Sequence, residues 1–239
     1  METYNVELLK DYIKKSKYTV VLTGAGMSTE SGLSDFRSRN GIWKKYDPMV
    51  VATKNAIISD YDTFHEFYSL RRSANEEKKP HKGHYILAEW EKRGLVQTII
   101  TQNVDTFHTD AGTKNLISLH GSINRYKCDS CGRETDRDRF MRKDKCEYCG
   151  GKLRPDIVLF GESLPENELE RAITESEKAD LFIVIGTSLT VYPAGNLPFR
   201  SNGHKVYIND VNESRKKFDL VILGKAGEIL SEVDRLLNI

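Results

Sequence analysis

Between positions 102 and 120 the chain gathers Gln102, Asn103, Asp105, His108 and His120, just after the apolar run 96–100. Serine, lysine and glycine would keep a loop in water. An amide pair, a carboxylate and two histidines so close to the end of an apolar run therefore ask for a chemical reason. Amides orient a bound group by donating and accepting together, a carboxylate accepts, and an imidazole titrating near neutrality moves a proton.

A second group is Cys128, Cys131, Cys146 and Cys149, the chain's four cysteines, set as two C-x2-C pairs separated by residues 132–145. Such pairs offer four soft thiolates to one tetrahedral structural zinc and leave no position open for catalysis. Gly132, Gly150 and Gly151 follow the pairs and supply the tight turns that bring backbone amides toward the sulfurs. Free or disulfide-bonded cysteines are the alternative.

A third stretch, Gly24-Ala25-Gly26-Met27-Ser28, follows the apolar run 18–23. Glycines there let the backbone approach a pyrophosphate, and a helix N-terminus beyond them would offer unpaired amides. The spacing is not G-x-G-x-x-G, because Gly32 comes too late, and no acidic residue closes a second strand at the usual distance. Taken alone, the stretch also reads as a glycine turn that packs a helix on a strand.

These groups need a scaffold. Apolar runs at 18–23, 96–100, 156–160, 181–186, 205–209 and 219–223 are short and rich in valine and isoleucine. They are apolar on both faces, as strands of a covered parallel sheet are. Amphipathic segments at 5–17, 83–93, 165–178 and 226–237 lie between them. The alternation predicts an α/β fold, a Rossmann-like doubly wound parallel sheet with its ligand site at the carboxyl ends of the strands. Residues 126–153, charged and cysteine-bearing, read as a small inserted zinc-binding module. Residues 38–80, rich in aromatics, read as a helical and cofactor-loop insert. The nucleotide-binding domain then comprises 1–37, 81–125 and 154–239.

Composition excludes other classes. With 38% hydrophobic and 30% charged residues over 239 positions, the chain reads as globular with a sizeable core. Lys+Arg at 36 against Asp+Glu at 35 gives a net charge of +1, which argues against nucleic-acid or membrane-surface binding by bulk charge. No apolar run approaches the roughly eighteen residues of a membrane span. Residues 1–18 lack the apolar core of a signal peptide, so a cytoplasmic location is expected.

GAGMSTESGLSDFRS (24–38), TQNVD (101–105), LHGS (119–122), the paired C-x2-C knuckles, DIVLFGE (156–162) and GTSLTVYPA (186–194) occur in the order seen in the sirtuins. From about residue 18 to 230 the chain resembles that family. The resemblance implies a bacterial-type NAD-dependent protein-lysine deacylase with one structural Zn2+ per chain. Its substrate would be an acyl-lysine protein or peptide, whose acyl group passes to ADP-ribose as nicotinamide is released. By the same likeness, Gly24, Ala25, Gly26 and Ser28 would hold the NAD pyrophosphate. Asp35, Phe36 and Arg37 would form a flexible cofactor loop, with Phe36 shielding the ribose. Gln102, Asn103 and Asp105 would line the nicotinamide pocket. His120 would be the general base, joining Asn103 and Asp105 as the catalytic set, with Gly121 leaving room for ribose and acyl-lysine. Gly186, Thr187, Ser188, Asn209 and the backbone near Ala226 would flank the adenosine half. Val158, Leu159, Phe160, Gly161 and Glu162 would pair edge-on with an extended substrate peptide. Ser34 stands where many sirtuins carry proline, which implies a less rigid cofactor loop.

Tyr68 and Arg71, three apart on one face of a helix, resemble the Tyr-x-x-Arg arrangement of the sirtuin branch that favours succinyl and malonyl groups. A phenol with a guanidinium suits a distal carboxylate. A buried tyrosine beside a solvated Arg71-Arg72 pair is the alternative. His108 reads as a packing or helix-end residue, and His65, His81, His84 and His204 as surface or capping residues. Two other functions compete: a protein ADP-ribosyltransferase or NAD glycohydrolase on the same scaffold, and a non-catalytic zinc-ribbon binding module.

Overall fold

The computed structural model describes residues 3–36, 41–211 and 217–238. Its strands are β1 (Thr19–Thr23), β2 (Thr98–Thr101), β3 (Leu116–Ser118), β4 (Gly121–Cys128), β5 (Glu134–Thr135), β6 (Leu153–Ile157), β7 (Leu181–Ile185), β8 (His204–Asn209) and β9 (Leu220–Leu223). Its helices are α1 (Thr3–Lys15), α2 (Pro48–Val51), α3 (Lys54–Ser59), α4 (Tyr61–Glu76), α5 (Lys82–Lys92), α6 (Phe107–Asp110), α7 (Arg137–Met141), α8 (Glu166–Lys178) and α9 (Ala226–Leu237). Three-residue-per-turn helices cover Ala25–Ser31, Ile42–Lys44 and Ala194–Arg200.

Six strands form a parallel sheet in the order β3-β2-β1-β7-β8-β9. Counted along the chain within that sheet, this is the winding of a dinucleotide-binding fold, whose order reverses between β1 and β7. Thr23 lies beside Ile185 there, so the loops after both strands open at one crevice. Every residue of β1, β2 and β7 is buried, as strands covered on both faces require. Val21, Ile99, Ile183 and Val206 pack under Leu9, Leu87, Trp90, Ile229 and Val233 of α1, α5 and α9. Val20, Leu22, Ile100, Phe182 and Val184 face the other way, against Ala172 of α8 and Leu197. Each such side chain contributes about 1.5–3 kcal/mol on full burial.

The runs at 18–23, 96–100, 181–186, 205–209 and 219–223 are strands of this sheet, and the four amphipathic segments are α1, α5, α8 and α9. The run at 156–160 is a correction. β6 ends at Ile157 and runs antiparallel to β4 in a separate sheet ordered β5-β4-β6. Its apolar residues cover a different core, so apolarity on both faces did not identify its sheet. That core joins Phe64, Phe67 and Tyr68 of α4 to Tyr126, Phe140, Leu153, Ile157 and Leu159.

Each helix of the insert, α2, α3 and α4, is started by its own cap. Asp47 accepts from Met49 N–H, Thr53 from Ala56 N–H and Asp60 from Thr63 N–H. Side chains then bind the insert to the cysteine-bearing module. The Tyr61 hydroxyl donates to Leu153 O at 2.7 Å, His65 Nε2 lies 2.7 Å from Phe140 O, and Arg137 Nη1 pairs with Glu76 at 2.9 Å.

The histidines divide. His81 caps α5 and His204 is exposed, stacked on Tyr12 with ring centroids 4.3 Å apart. His84 is neither surface nor cap. It is wholly buried, because with Leu87 and Ala88 it occupies the inward stripe of α5. It meets His81 and His108 edge to face, with centroids 4.5 and 4.9 Å apart. His108 packs as expected, with Nε2 2.9 Å from Thr23 Oγ1.

Candidate active site

The crevice between β1 and β7 is shaped by backbone approaching backbone. Gly24 N–H donates to Ile185 O at 3.0 Å and Gly26 N–H to Gly186 O at 2.8 Å. Gly186 has a φ of +66°, and a Cβ there would sit 2.3 Å from Met27 N. Glycine in these loops therefore serves strand-end packing as well as ligand approach. The turn Ala25–Ser31 is held from outside. His81 Nδ1 accepts from Gly83 N–H, so its Nε2–H donates to Met27 O at 2.6 Å. Glu30 Oε1 accepts from Gly227 N–H at 2.6 Å, at the start of α9.

A cleft of about 640 Å³ opens over this crevice. Gly24, Ala25, Gly26, Asp35, Phe36, Tyr68, Arg71, Gln102, Asn103, His120, Gly186, Thr187, Ser188, Asn209 and residues 158–162 line it. Its volume lies in the range of small-molecule sites. A smaller cavity of about 160 Å³ adjoins it, where Ser28 and Asp105 join Ala25, Phe36, Arg71 and Asn103. Ala226, the first residue of α9, lines neither cavity. Arg37 lies outside the described residues.

The polar residues form a directed network. Asn103 Nδ2 donates to Gly24 O at 3.0 Å and to Ser28 Oγ at 3.1 Å. Ser28 Oγ–H donates onward to Asp105 Oδ2 at 2.8 Å, and Asp105 Oδ1 accepts from Phe107 N–H at 3.1 Å. Both Asn103 N–H groups are thus used, and the amide keeps its Oδ1 as an acceptor. Burial pushes the Asp105 carboxyl up, against Ser28, Phe107 N–H and the Arg71 charge. Gln102 bridges the two sides of the crevice, with Nε2 donating to Thr187 Oγ1 at 3.1 Å.

His120 Nδ1–H donates to Gln102 O at 2.7 Å. That bond leaves the lone pair on Nε2, which has no partner among the described residues. Burial lowers the pKa of the ring, opposed by the Gln102 carbonyl, so the imidazole is neutral near pH 7. Gly121 has a different purpose from the one expected. With φ at +78°, a Cβ would lie 2.2 Å from Asp156 O, so the missing side chain makes room for β6.

On the opposite wall stand Tyr68 and Arg71 of α4. Tyr68 packs among Phe64 and Phe67, with centroids 4.6 and 5.0 Å away, and burial raises its phenol. Arg71 is partly buried, its Cζ 4.9 Å from the Phe36 ring centre and 5.8 Å from that of Phe67. Among the described residues it has no hydrogen bond or ion pair. Burial lowers its pKa, against Tyr68 and Asp105.

Residues 158–162 enter the cleft, yet most of their N–H groups are already engaged. Val158 donates to His120 O at 3.0 Å, Phe160 to Ala52 O at 2.8 Å and Glu162 to Leu159 O at 3.0 Å, while Leu159 N–H meets Glu162 Oε2 at 2.9 Å. An added peptide strand would therefore meet a stretch whose Val158, Leu159, Phe160 and Glu162 N–H groups are already bonded.

The four cysteines converge, with all Sγ atoms within 4.8 Å of one another. Cys128 and Cys149 are 3.5 Å apart and Cys131 and Cys146 3.7 Å. Tetrahedral zinc with Zn–S bonds of about 2.3 Å needs sulfurs about 3.8 Å apart, whereas a disulfide needs about 2 Å. The donor set fits a structural zinc, and a Cβ on Gly151 would intrude to 2.8 Å from Cys128 Sγ. Among the described residues no helix is long and apolar enough to cross a membrane.

Residues 24–193 match the Sir2 family. An NAD-dependent protein deacetylase of Oceanobacillus iheyensis is 48% identical, over 89% of this chain and 90% of that protein. An NAD-dependent protein deacylase of Pyrococcus furiosus is 42% identical, over 92% and 93%. A solved Sir2 mutant with a deacetylated p53 peptide and 3'-O-acetyl ADP ribose has a TM-score of 0.92 at 35% identity, covering 98% of this chain and 99% of that one.

Proposed function

The chain belongs to the Sir2 family, and on that footing we propose that it is an NAD-dependent protein-lysine deacylase that favours acyl groups ending in a carboxylate, such as succinyl and malonyl. The acyl preference is carried by Arg71, a partly buried guanidinium near the Phe36 and Phe67 rings with no hydrogen bond or ion pair among the described residues, Asp105 acting on it only across the smaller cavity. An unpaired cation drawn out of water is costly, and a carboxylate delivered by the substrate would offset that cost. Tyr68 supports it, because a phenol held neutral can donate to the same carboxylate.

NAD, when bound, supplies the ADP-ribosyl group that accepts the acyl and releases nicotinamide. Gly24, Ala25, Gly26, Gly186, Thr187, Ser188 and Asn209 would hold it along the strand ends, and Asp35, Phe36 and Arg37 would cover it. Ala226 lines neither cavity, and the backbone near it would flank the adenosine half. Asn103 Oδ1, fixed by the two bonds of its amide, would accept from a hydroxyl or a water. Asp105 would accept from a carboxamide while Ser28 and Phe107 hold it in place. His120 Nε2 would take a hydroxyl proton, a step worth about 10²–10⁴-fold when geometry and pKa suit it. The extended peptide would lie along 158–162. Cys128, Cys131, Cys146 and Cys149 would hold zinc away from the chemistry.

The test is mass spectrometry of NAD incubated with the protein and acetyl-, succinyl- and longer acyl-lysine peptides. Free lysine peptide with an O-acyl-ADP-ribose is expected, fastest for the succinyl peptide. NAD cleaved without deacylation, or ADP-ribose attached to protein, would replace this reading with the glycohydrolase or ADP-ribosyltransferase.

A further inference from the structure

Glu162 lines the cleft, but its carboxylate is turned inward to a buried cation. Arg154, on β6, is 1% exposed. Its Nη1 donates to Glu162 Oε1 at 2.7 Å and its Nη2 to Glu162 Oε2 at 2.9 Å, a two-pronged pair. Nη2 also donates to Ile157 O at 2.6 Å, and Nη1 to Asp129 Oδ1 at 3.2 Å. Asp129 lies between Cys128 and Cys131, so one guanidinium ties the first cysteine knuckle to the cleft wall. Glu162 Oε2 in turn accepts the Leu159 N–H at 2.9 Å.

These contacts have one mechanical result. The turn from Leu159 to Glu162 is closed from within by a carboxylate, and that carboxylate is aimed by Arg154. Gly161, at the tip, has a φ of +86° and no side chain to anchor it. Without the fork, Glu162 would seek water and release the Leu159 N–H. The turn would then be held only by Phe160 N–H to Ala52 O at 2.8 Å and Glu162 N–H to Leu159 O at 3.0 Å, and its course along the cleft would loosen. The crevice between β1 and β7 shares none of these bonds.

We propose that Arg154 is a positioning residue for the peptide substrate: it acts through Glu162 to set the Leu159–Glu162 turn against the cysteine knuckle, and it leaves the NAD side of the cleft alone. The inference rests on the deacylase reading above. A lysine cannot replace it, because an ammonium is a point charge and the site needs planar donors to several acceptors at once.

The test uses the full chain with its zinc content measured. In Arg154→Lys, KM for the acyl-lysine peptide should rise about tenfold or more, with kcat and the KM for NAD within about twofold and zinc retained. Hydrogen exchange at the Leu159 amide should quicken by at least about tenfold. Asp129→Asn, which weakens one longer bond, should raise the peptide KM about threefold. Should Arg154→Lys fail to fold, Asp129→Asn carries the test alone, with the peptide KM raised about threefold and the KM for NAD unmoved. An unchanged peptide KM with a loosened Leu159 amide would overturn the proposal. So would a rise in both KM values together with loss of zinc, which would make Arg154 a scaffold residue only. A wild-type protein that turns over no acyl-lysine peptide would overturn the deacylase reading and this inference with it, whereas a working deacylase with an unmoved peptide KM overturns the inference alone.

Discussion

Arg71→Met isolates the charge from the packing. Methionine is unbranched and adaptable, so it can keep contact with the Phe36 and Phe67 rings that now flank the guanidinium. What disappears is a cation that no other described residue pairs. A hydrogen bond to a charged group contributes about 1.5–3 kcal/mol, and a carboxylate gripped by both prongs of Arg71 in a partly open cleft would lose about 3 kcal/mol overall. At about 1.4 kcal/mol per tenfold, that is about a hundredfold loss in kcat/KM for a succinyl-lysine peptide. Tyr68→Phe removes one neutral donor and should cost about tenfold. Acetyl-lysine carries no distal charge, so its kcat/KM should stay within about threefold. The assay is initial rates at saturating NAD on two peptides that differ only in the acyl group. Equal losses on both peptides would refute the reasoning, because Arg71 would then be holding the Phe36 loop or Asp105 in place rather than reading the acyl group.

His120→Ala should lower deacylation by at least about 100-fold while leaving NAD affinity within about threefold, measured by titration calorimetry; a parallel loss of both would make His120 a binding residue. Replacing Cys128 and Cys131 with serine should release zinc and unfold the module, since zinc binding at such sites is folding free energy. The insert core shares Tyr126, Phe140 and Leu153 with that module, so succinyl-lysine turnover should vanish with the metal; a folded, metal-free and active variant would remove the zinc assignment. Burial depresses His84 to about 2 and His108 to about 3, below the unfolded value of about 6.5. The unfolded chain therefore binds protons that the folded chain refuses. Stability should be full above about pH 6.5 and fall as pH drops toward those values, by about 1.4 kcal/mol per pH unit for each histidine. Urea midpoints at pH 7, 6 and 5 would show it; His84→Phe should roughly halve the slope, and a flat wild-type profile would refute the assignment.

The parallel sheet was legible because β1, β2, β7 and β8 carry aliphatic residues on both faces and helices intervene. β6 was not, since the same aliphatic pattern serves a strand that pairs with β4 and covers the insert. β3 escaped notice because Leu116–Ser118 is too short to show a period. Most of the site could be located from motifs, but the direction of its bonds could not. No spacing rule reveals that Glu162 faces Arg154 or that Gly121 makes way for Asp156 O. Arg154 itself carried a signal, an arginine two residues before the apolar run 156–160 and eight before Glu162. A buried arginine is rare unless paired, so its partners could have been sought. His84 carried one too, at helical spacing with Leu87 and Ala88.

The two walls of the cleft are built on different foundations. Gly24, Gln102, Gly186 and Asn209 follow or end β1, β2, β7 and β8, which are fixed by the helices on both faces of the large sheet. Tyr68 and Arg71 are carried by α4, whose inward face packs on Tyr126, Phe140 and Leu153 and whose last turn is tied through Glu76 to Arg137. A change in the α4 core therefore moves Tyr68 and Arg71 before it reaches the strand ends. The walls meet where Phe36 stacks against Arg71, and where Arg71 faces Asp105 across the smaller cavity. On the proposed function, that contact would couple acyl reading at Arg71 to the position of Phe36.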